Sequence, residues 1–271
     1  MESCRTAGIC QLNLSGPSED ILKSADTGFS WISTYFSNSK NGLAEASVKE
    51  LSNLILSHFY WNYQQISFLY IFTLLSKQQS ENSGNIRDTA RAVSCFFSVP
   101  LSMQCGYDRE EMEKVKAITV SRLLSQKKEW GRLDNIYDTA YALSALADAG
   151  SFQEEICLDL CKSDRPEWQH PGTTALIITA LQKQKNLGLF SEEANFMIFK
   201  FISDKADWLI SVRENEYWKY TATSCLVLNA LIFCNRKAEA VKSLSWILAS
   251  QNENGSWEND LNTTALSLLT L

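Results

Sequence analysis

Apolar side chains recur along this chain at the spacing of an α-helix, and five segments share one template. Each begins with Asp or Thr, followed by Thr or Ser and then by a small residue. Apolar residues stand five and eight positions after the start, on one stripe of a helix. We expect the first residue to be the N-cap, because its side-chain oxygen can accept a backbone N–H of the first turn. The starts are Asp88, Asp138, Thr173, Thr223 and Thr263.

A second set of amphipathic segments alternates with the template helices. The template helices are rich in small and apolar residues, which is typical of an inner ring, and the second set carries charge on one face, which is typical of an outer ring. Residues 63–76 are the expected outer partner of the Asp88 helix, and residues 19–36 with 44–59 form a sixth, more divergent pair. The other outer segments are residues 110–126, 152–162, 190–212 and 237–251.

Six such pairs predict the fold class. Helical hairpins that repeat every 35 to 50 residues form either an open solenoid with polar caps or a closed ring, and no polar caps are visible. The sequence therefore predicts an all-α protein, an α/α-toroid (α6/α6 barrel) with a single domain over residues 1–271. Residues 1–17 are expected to be a poorly ordered N-terminal segment.

Composition narrows the classes of partner. The net charge is −6 and the basic residues are scattered, which argues against nucleic acid as a partner. No apolar run reaches the roughly 18 to 20 residues of a membrane span. The N-terminal residues do not resemble a secretory signal, and the eight cysteines show no disulfide framework. We therefore expect a cytoplasmic protein without an integral membrane span.

One motif carries a resemblance to a known family. Residues 251–257 read Gln-Asn-Glu-Asn-Gly-Ser-Trp, which matches QxxxGxW, and Trp130, Trp168 and Trp218 are weaker echoes before other template helices. With the repeats, this resembles the terpenoid-cyclase and protein-prenyltransferase superfamily over roughly residues 64–271. The resemblance implies a hydrophobic, isoprenoid-derived substrate. It also implies a second ring domain or a second copy as a partner, because large cyclases often place their site between two rings.

The residues of this motif have a structural role by their chemistry. Gln251 can bond backbone groups at a helix end, Gly255 allows a tight turn, and Trp257 can stack between repeats. We favour the same packing role for the other tryptophans. Trp168, Trp218 and Tyr220 are nevertheless kept as candidate substrate contacts.

The catalytic acid of protonating cyclases has an incomplete counterpart here. Their motif is Asp-x-Asp-Asp at the start of an inner helix, and its middle Asp protonates an alkene or epoxide. The matching positions are Asn85-Ile-Arg87-Asp88 and Asn135-Ile-Tyr137-Asp138. The last Asp is kept in both strings, but Arg or Tyr stands at the donor position.

Several routes to acid chemistry remain. Asp134 can supply a second carboxylate, Asp88 or Asp138 can donate the proton itself, or Tyr137 can act with Asp138 as an acid–base pair on an easily activated substrate. His170 precedes the next inner helix and is a candidate base. Asn135 with Tyr137, and Asn85 with Arg87, would shape the two sites.

The expected activity is a metal-independent, acid-initiated cyclisation or isomerisation. The alternative is a non-catalytic ring, a binding or scaffold subunit, in which both aspartates only cap helices.

Metal and cofactor chemistry has weaker support. The prenyltransferases that the chain resembles hold zinc through Asp, Cys and His, but no Asp-x-Cys string opens a template helix. Cys157, Cys161 and His170 have ligand types that suit zinc, although cysteines one turn apart on an outer helix are usually packing residues. No pair of carboxylates stands out as a glycosidase pair. We expect no metal and no cofactor.

Overall fold

The chain is all-α in the computed structural model, which describes residues 18–38, 42–62, 64–79, 85–99, 109–163 and 165–271. No β-strand forms within these residues, and none of their helices has the length and apolarity needed to cross a membrane. The predicted N-terminal segment 1–17 lies outside them. The helices are α1 (Glu19–Asn38), α2 (Val48–Tyr60), α3 (Gln64–Gln79), α4 (Ile86–Ser98), α5 (Arg109–Ser125), α6 (Lys127–Trp130), α7 (Ile136–Asp148), α8 (Glu154–Ser163), α9 (Pro171–Asn186), α10 (Glu192–Ser211), α11 (Thr221–Phe233), α12 (Lys237–Ala249) and α13 (Leu261–Thr270).

Six helices are neighbours in a closed order. α2 packs against α4, α4 against α7, α7 against α9, α9 against α11 and α11 against α13. α13 then packs against α2, so the order returns to its first member. Five of these six helices, all but α2, contain the sequence template. The hydrophobic core includes buried residues of these six helices and of the helices that pack against them.

Most of the remaining long helices pack against members of this set, whereas α8 packs against α10. α3 packs against α2, α5 against α4, α10 against α9 and α12 against α11, while α1 packs against α13. The prediction that residues 63–76 chiefly partner the Asp88 helix is therefore wrong, because α3 makes its main contact with α2 and only a minor one with α4. The short connections α2–α3 and α11–α12 give the reason: a few residues can only reverse the chain, so they make antiparallel neighbours.

The template helices begin earlier than expected. The N-caps are Asn85, Asn135, His170, Tyr220 and Asp260, each three residues before a template start. The prediction that Asp88 and Asp138 are N-caps is therefore wrong. Asn at the cap accepts the backbone N–H of the third helical residue, and that third residue is the aspartate.

The QxxxGxW loop joins the last two helices to the first. The Gln251 side chain donates to the Ser24 carbonyl at 2.9 Å and to the Gly255 carbonyl at 2.8 Å, and accepts from the Ser24 hydroxyl at 2.7 Å. Gly255 has φ of +91°, and a Cβ at this position would lie 2.3 Å from the Thr27 carbonyl oxygen. The Gln and Gly of the motif thus hold the α12–α13 loop against α1, which is the structural role expected for them.

Candidate functional site

Most helices of the closed order of contacts share one face that is less buried than the rest. Counted from the template start, positions +3, +6 and +10 are half-buried in α4, α7, α9 and α11, while positions +1, +2, +4, +5, +7 and +8 are buried. α2 follows the same pattern when it is counted from Glu50, three residues after its N-cap Ser47. Spacings of three and four residues keep these positions on one helix face. We call this face the half-buried stripe.

The half-buried stripe of α4 and α7 begins about one helical turn after the two predicted acids, Asp88 and Asp138. Asn85 and Asn135 cap α4 and α7, and each also donates its amide N–H to the aspartate three residues later. The Asn135–Asp138 bond is 2.7 Å and the Asn85–Asp88 bond is 3.2 Å. Each aspartate is thus held at a helix N-terminus, where the helix dipole favours its charge.

Both aspartates are paired with arginines of α4. Arg87 Nε lies 2.9 Å from Asp138 Oδ1, which links α4 to α7. This contact is an ion pair without a hydrogen bond from Nε. Arg91 donates to Asp88 at 3.0 Å, and its guanidinium lies over the Tyr141 ring, 4.3 Å from the ring centroid. The site therefore contains two carboxylates and two guanidinium groups, so its formal charge is balanced.

The protonation of Asp138 is set by two opposing effects. Its side chain is only 17% exposed. Burial raises the pKa of Asp138 above its ordinary value, and the nearby Arg87 opposes this shift without cancelling it. A raised pKa is what a proton donor needs, whereas an arginine partner favours the carboxylate.

The other candidate site residues differ in whether they lie near the two aspartate–arginine pairs. Tyr137 is 40% exposed, and its oxygen accepts a 2.9 Å hydrogen bond from Thr173 on α9, whereas Asp138 pairs with Arg87 on α4. Asp134 and His170 are exposed in the segments before α7 and α9, and neither takes part in the two ion pairs. Tyr220 is also exposed, with the ammonium of Lys219 over its ring.

The tryptophans before the inner helices have a common structural role. The second template residue bonds the backbone of the preceding tryptophan in four repeats: Thr139 with Trp130, Thr174 with Trp168, Ser224 with Trp218 and Thr264 with Trp257. In three of these repeats the indole N–H also donates to a carbonyl near the end of the preceding outer helix. Trp168 and Trp218 are 5% and 2% exposed. This geometry agrees with the packing role that we favoured.

Metal ligands do not converge within the described residues. No group of three or more His, Cys, Asp and Glu side chains there could hold an ion. Cys157 is buried, and burial raises the pKa of its thiol to about 12, so it is a poor thiolate ligand.

Two contacts between successive repeats were missed by sequence reasoning. Arg91 and Tyr141 occupy position +3 of successive repeats, and Asp148 and Lys183 occupy position +10. Lys183 Nζ lies 2.7 Å from Asp148 Oδ2, and the two side chains are 18% and 6% exposed. Opposite charges at one template position in neighbouring repeats were the signal that could have identified this ion pair.

Comparisons with known proteins assign no family. No protein-family model matches the chain, and no curated protein is significantly similar to it. The resemblance to terpenoid cyclases and prenyltransferases, and the chemistry that it implies, therefore stay predictions.

Proposed function

We propose that this chain is an α/α-toroid that binds a hydrophobic, isoprenoid-derived small molecule in its lumen and acts as a non-catalytic ring. The closed order of contacts from α2 round to α13 favours the toroid. The observation that carries the binding function is the half-buried stripe. In a ring, each inner helix has two lateral neighbours and an outer cover, so its one remaining face lines the lumen.

The lining of this lumen suits an apolar molecule with some polar groups. On α9, α11 and α13 the +3 position is Leu176, Leu226 and Leu266. On α4 and α7 the same level has Arg91 and Tyr141. One flank can therefore bury hydrocarbon, with a favourable free energy of about 25 cal/mol per Å², while the other offers hydrogen bonds.

The arginines argue against a carbocation at this site. A cyclase reaction develops positive charge, and two guanidinium groups would raise the energy of that charge. Arg91 also occupies the face of Tyr141, which would otherwise be available to stabilise a cation. Asp138 and Asp88 are each paired with an arginine, and the charge of Arg87 opposes the raised pKa of Asp138, which works against a proton donor at this position.

One observation favours acid-initiated cyclisation or isomerisation as a second candidate function. The pKa of Asp138 is raised by burial, and two tyrosines, Tyr137 and Tyr141, lie on the same helix face. A substrate that displaces Arg87 would remove the main group that stabilises the carboxylate. Asp138 would then be the acid, and no metal would be needed.

A binding and turnover experiment separates the two functions. Purified protein is titrated with a panel of prenyl alcohols, prenyl diphosphates and polyenes, and products are sought by mass spectrometry. We expect saturable binding without product, and binding that survives Asp138→Asn. Product that forms with wild type and disappears with Asp138→Asn would instead establish the cyclase-like function.

A blocking variant tests where the ligand binds. Ser144 is at position +6 of α7 on the half-buried stripe, so Ser144→Phe places a ring in the lumen. Ser121→Phe is the matched control, because Ser121 is exposed on the outer helix α5. We expect the first variant to lose binding by more than about tenfold and the second to keep it. Equal affinities for the two variants would contradict a lumen site.

A further inference from the structure

The stripe has a second charged level away from Asp88 and Asp138. Position +10 is Tyr60 on α2, Ser98 on α4, Asp148 on α7, Lys183 on α9 and Phe233 on α11. All five are half-buried. Asp148 lies ten residues after Asp138 on one helix, which places it about 15 Å further along the axis at 1.5 Å per residue.

An ion pair and a tyrosine occupy this level. The Asp148–Lys183 ion pair joins α7 to α9 at 2.7 Å. Tyr60 lies on α2, which is separated from α7 by α4 in the closed order of contacts. Burial, and to a smaller extent the charge of Asp148, raise the pKa of Tyr60 to about 12, so its phenol stays protonated.

Resting on the proposed function, we infer that Tyr60, Asp148 and Lys183 form a second polar site at the far end of the lumen, which binds a hydroxyl or carbonyl group of an elongated neutral ligand. The other end of that ligand lies at the Asp138–Arg87 pair. Lys183 and Tyr60 supply donors, and Asp148 supplies an acceptor.

Charge balance selects a neutral ligand over an ionic one. Each carboxylate of the two levels has a cationic partner: Asp138 has Arg87, Asp88 has Arg91 and Asp148 has Lys183. An ionic ligand group would bring an uncompensated charge into a partly desolvated site, which is costly. A hydroxyl or carbonyl adds no charge and can still bond to either member of a pair.

The lumen between the two levels has both polar and apolar positions. Position +6 has Ser94 and Ser144 on α4 and α7, Thr179 and Asn229 on α9 and α11, and Leu56 and Leu269 on α2 and α13. Together with the leucines at position +3, this makes the lining amphipathic along its length. A chain with a polar group at each end, about 15 Å apart, would satisfy both levels at once.

The test compares two alcohols of equal chain length. Linear decanol has one hydroxyl, and α,ω-decanediol has a second at the other end. Wild type is expected to bind the diol about tenfold more tightly, which corresponds to one additional well-made hydrogen bond. Affinities are measured by ligand-observed NMR and by calorimetry.

Variants assign the difference to the second site. Asp148→Asn combined with Lys183→Gln removes both charges together, so no buried charge is left unpaired. It should abolish the advantage of the diol over decanol. The control is Glu110→Gln with Lys114→Gln, an exposed ion pair on α5 with side chains 76% and 67% exposed. Tyr60→Phe keeps the packing and should lower only the affinity for the diol. It serves as the test if the double variant does not fold.

The outcomes separate this inference from the proposed function. If wild type binds both alcohols equally, or the double variant keeps the preference for the diol, the second site is wrong and the binding ring stands. If wild type binds neither alcohol and no prenyl compound, the proposed function is wrong and the second site falls with it.

Discussion

Replacing Gly255 by alanine should destabilise the protein through a contact that joins the last loop to the first helix. Gly255 has φ of +91°, and its new Cβ would lie 2.3 Å from the Thr27 carbonyl oxygen and 2.7 Å from the carbonyl carbon. Both atoms belong to the backbone of α1, so they cannot rotate away as a side chain would. The loop must move away from α1 instead.

The magnitude follows from two separable contributions. A non-glycine residue at positive φ costs about 1 to 2 kcal/mol. Moving the loop also weakens three contacts that Gln251 makes with α1: two with Ser24 and one with Thr27. At about 0.7 to 1 kcal/mol for each hydrogen bond, near the middle of the usual range, this adds roughly 2 to 3 kcal/mol. The total loss is about 3 to 5 kcal/mol.

Gly188→Ala is the matched control. Gly188 has φ of +71°, and a Cβ there meets nothing within 4 Å, so this variant measures backbone strain alone. Urea unfolding followed by circular dichroism should show a loss of about 1 to 2 kcal/mol for Gly188→Ala. The further loss for Gly255→Ala corresponds to an additional decrease in Tm of roughly 5 to 10 °C. If both variants lose the same stability, Gly255 makes no essential contact with α1 and the docking of the motif loop is wrong.

Three further predictions concern single side chains. His58 is buried and its pKa is lowered to about 4 by desolvation, so the unfolded chain binds more protons than the native chain between about pH 4 and 6.5. The free energy of unfolding should therefore fall by about 3 kcal/mol as the pH decreases through that window. His58→Phe should flatten this dependence on pH. If the variant shows the same slope as wild type, His58 is not a buried neutral imidazole. Thr264→Val leaves the Trp257 N–H without its 3.0 Å partner and should cost about 1 to 3 kcal/mol in urea unfolding, whereas Thr34→Val on the exposed face of α1 should cost almost nothing. Arg87→Met should raise the pKa of Asp138 further, because Arg87 lowers it. The pKa is measured by NMR titration of the carboxyl group, and a lower pKa in the variant would refute the ion pair.

The sequence by itself determined the helices and their repeat. Predicted segments such as 19–36, 110–126 and 237–251 correspond to α1, α5 and α12 within a few residues. Helix formation depends on local periodicity, which a single sequence records directly. The template, with its small residue at position +2, also identified five of the six helices that lie in the closed order of contacts. The motif residues Gln251, Gly255 and Trp257 have the structural roles that their chemistry predicted.

Only the tertiary structure decided how side chains on different helices meet. The sequence placed Asp88 and Asp138 at helix starts, but the arginines that pair with them were visible only once α4 and α7 were in register. The pairing of α3 with α2, and of Asp148 with Lys183, depends in the same way on the relative position of separate helices. Local spacing determines which face of a helix a residue is on, whereas the charge opposite that face depends on long-range packing. For this reason the sequence predicted candidate acids, and the structure showed that cationic partners balance them.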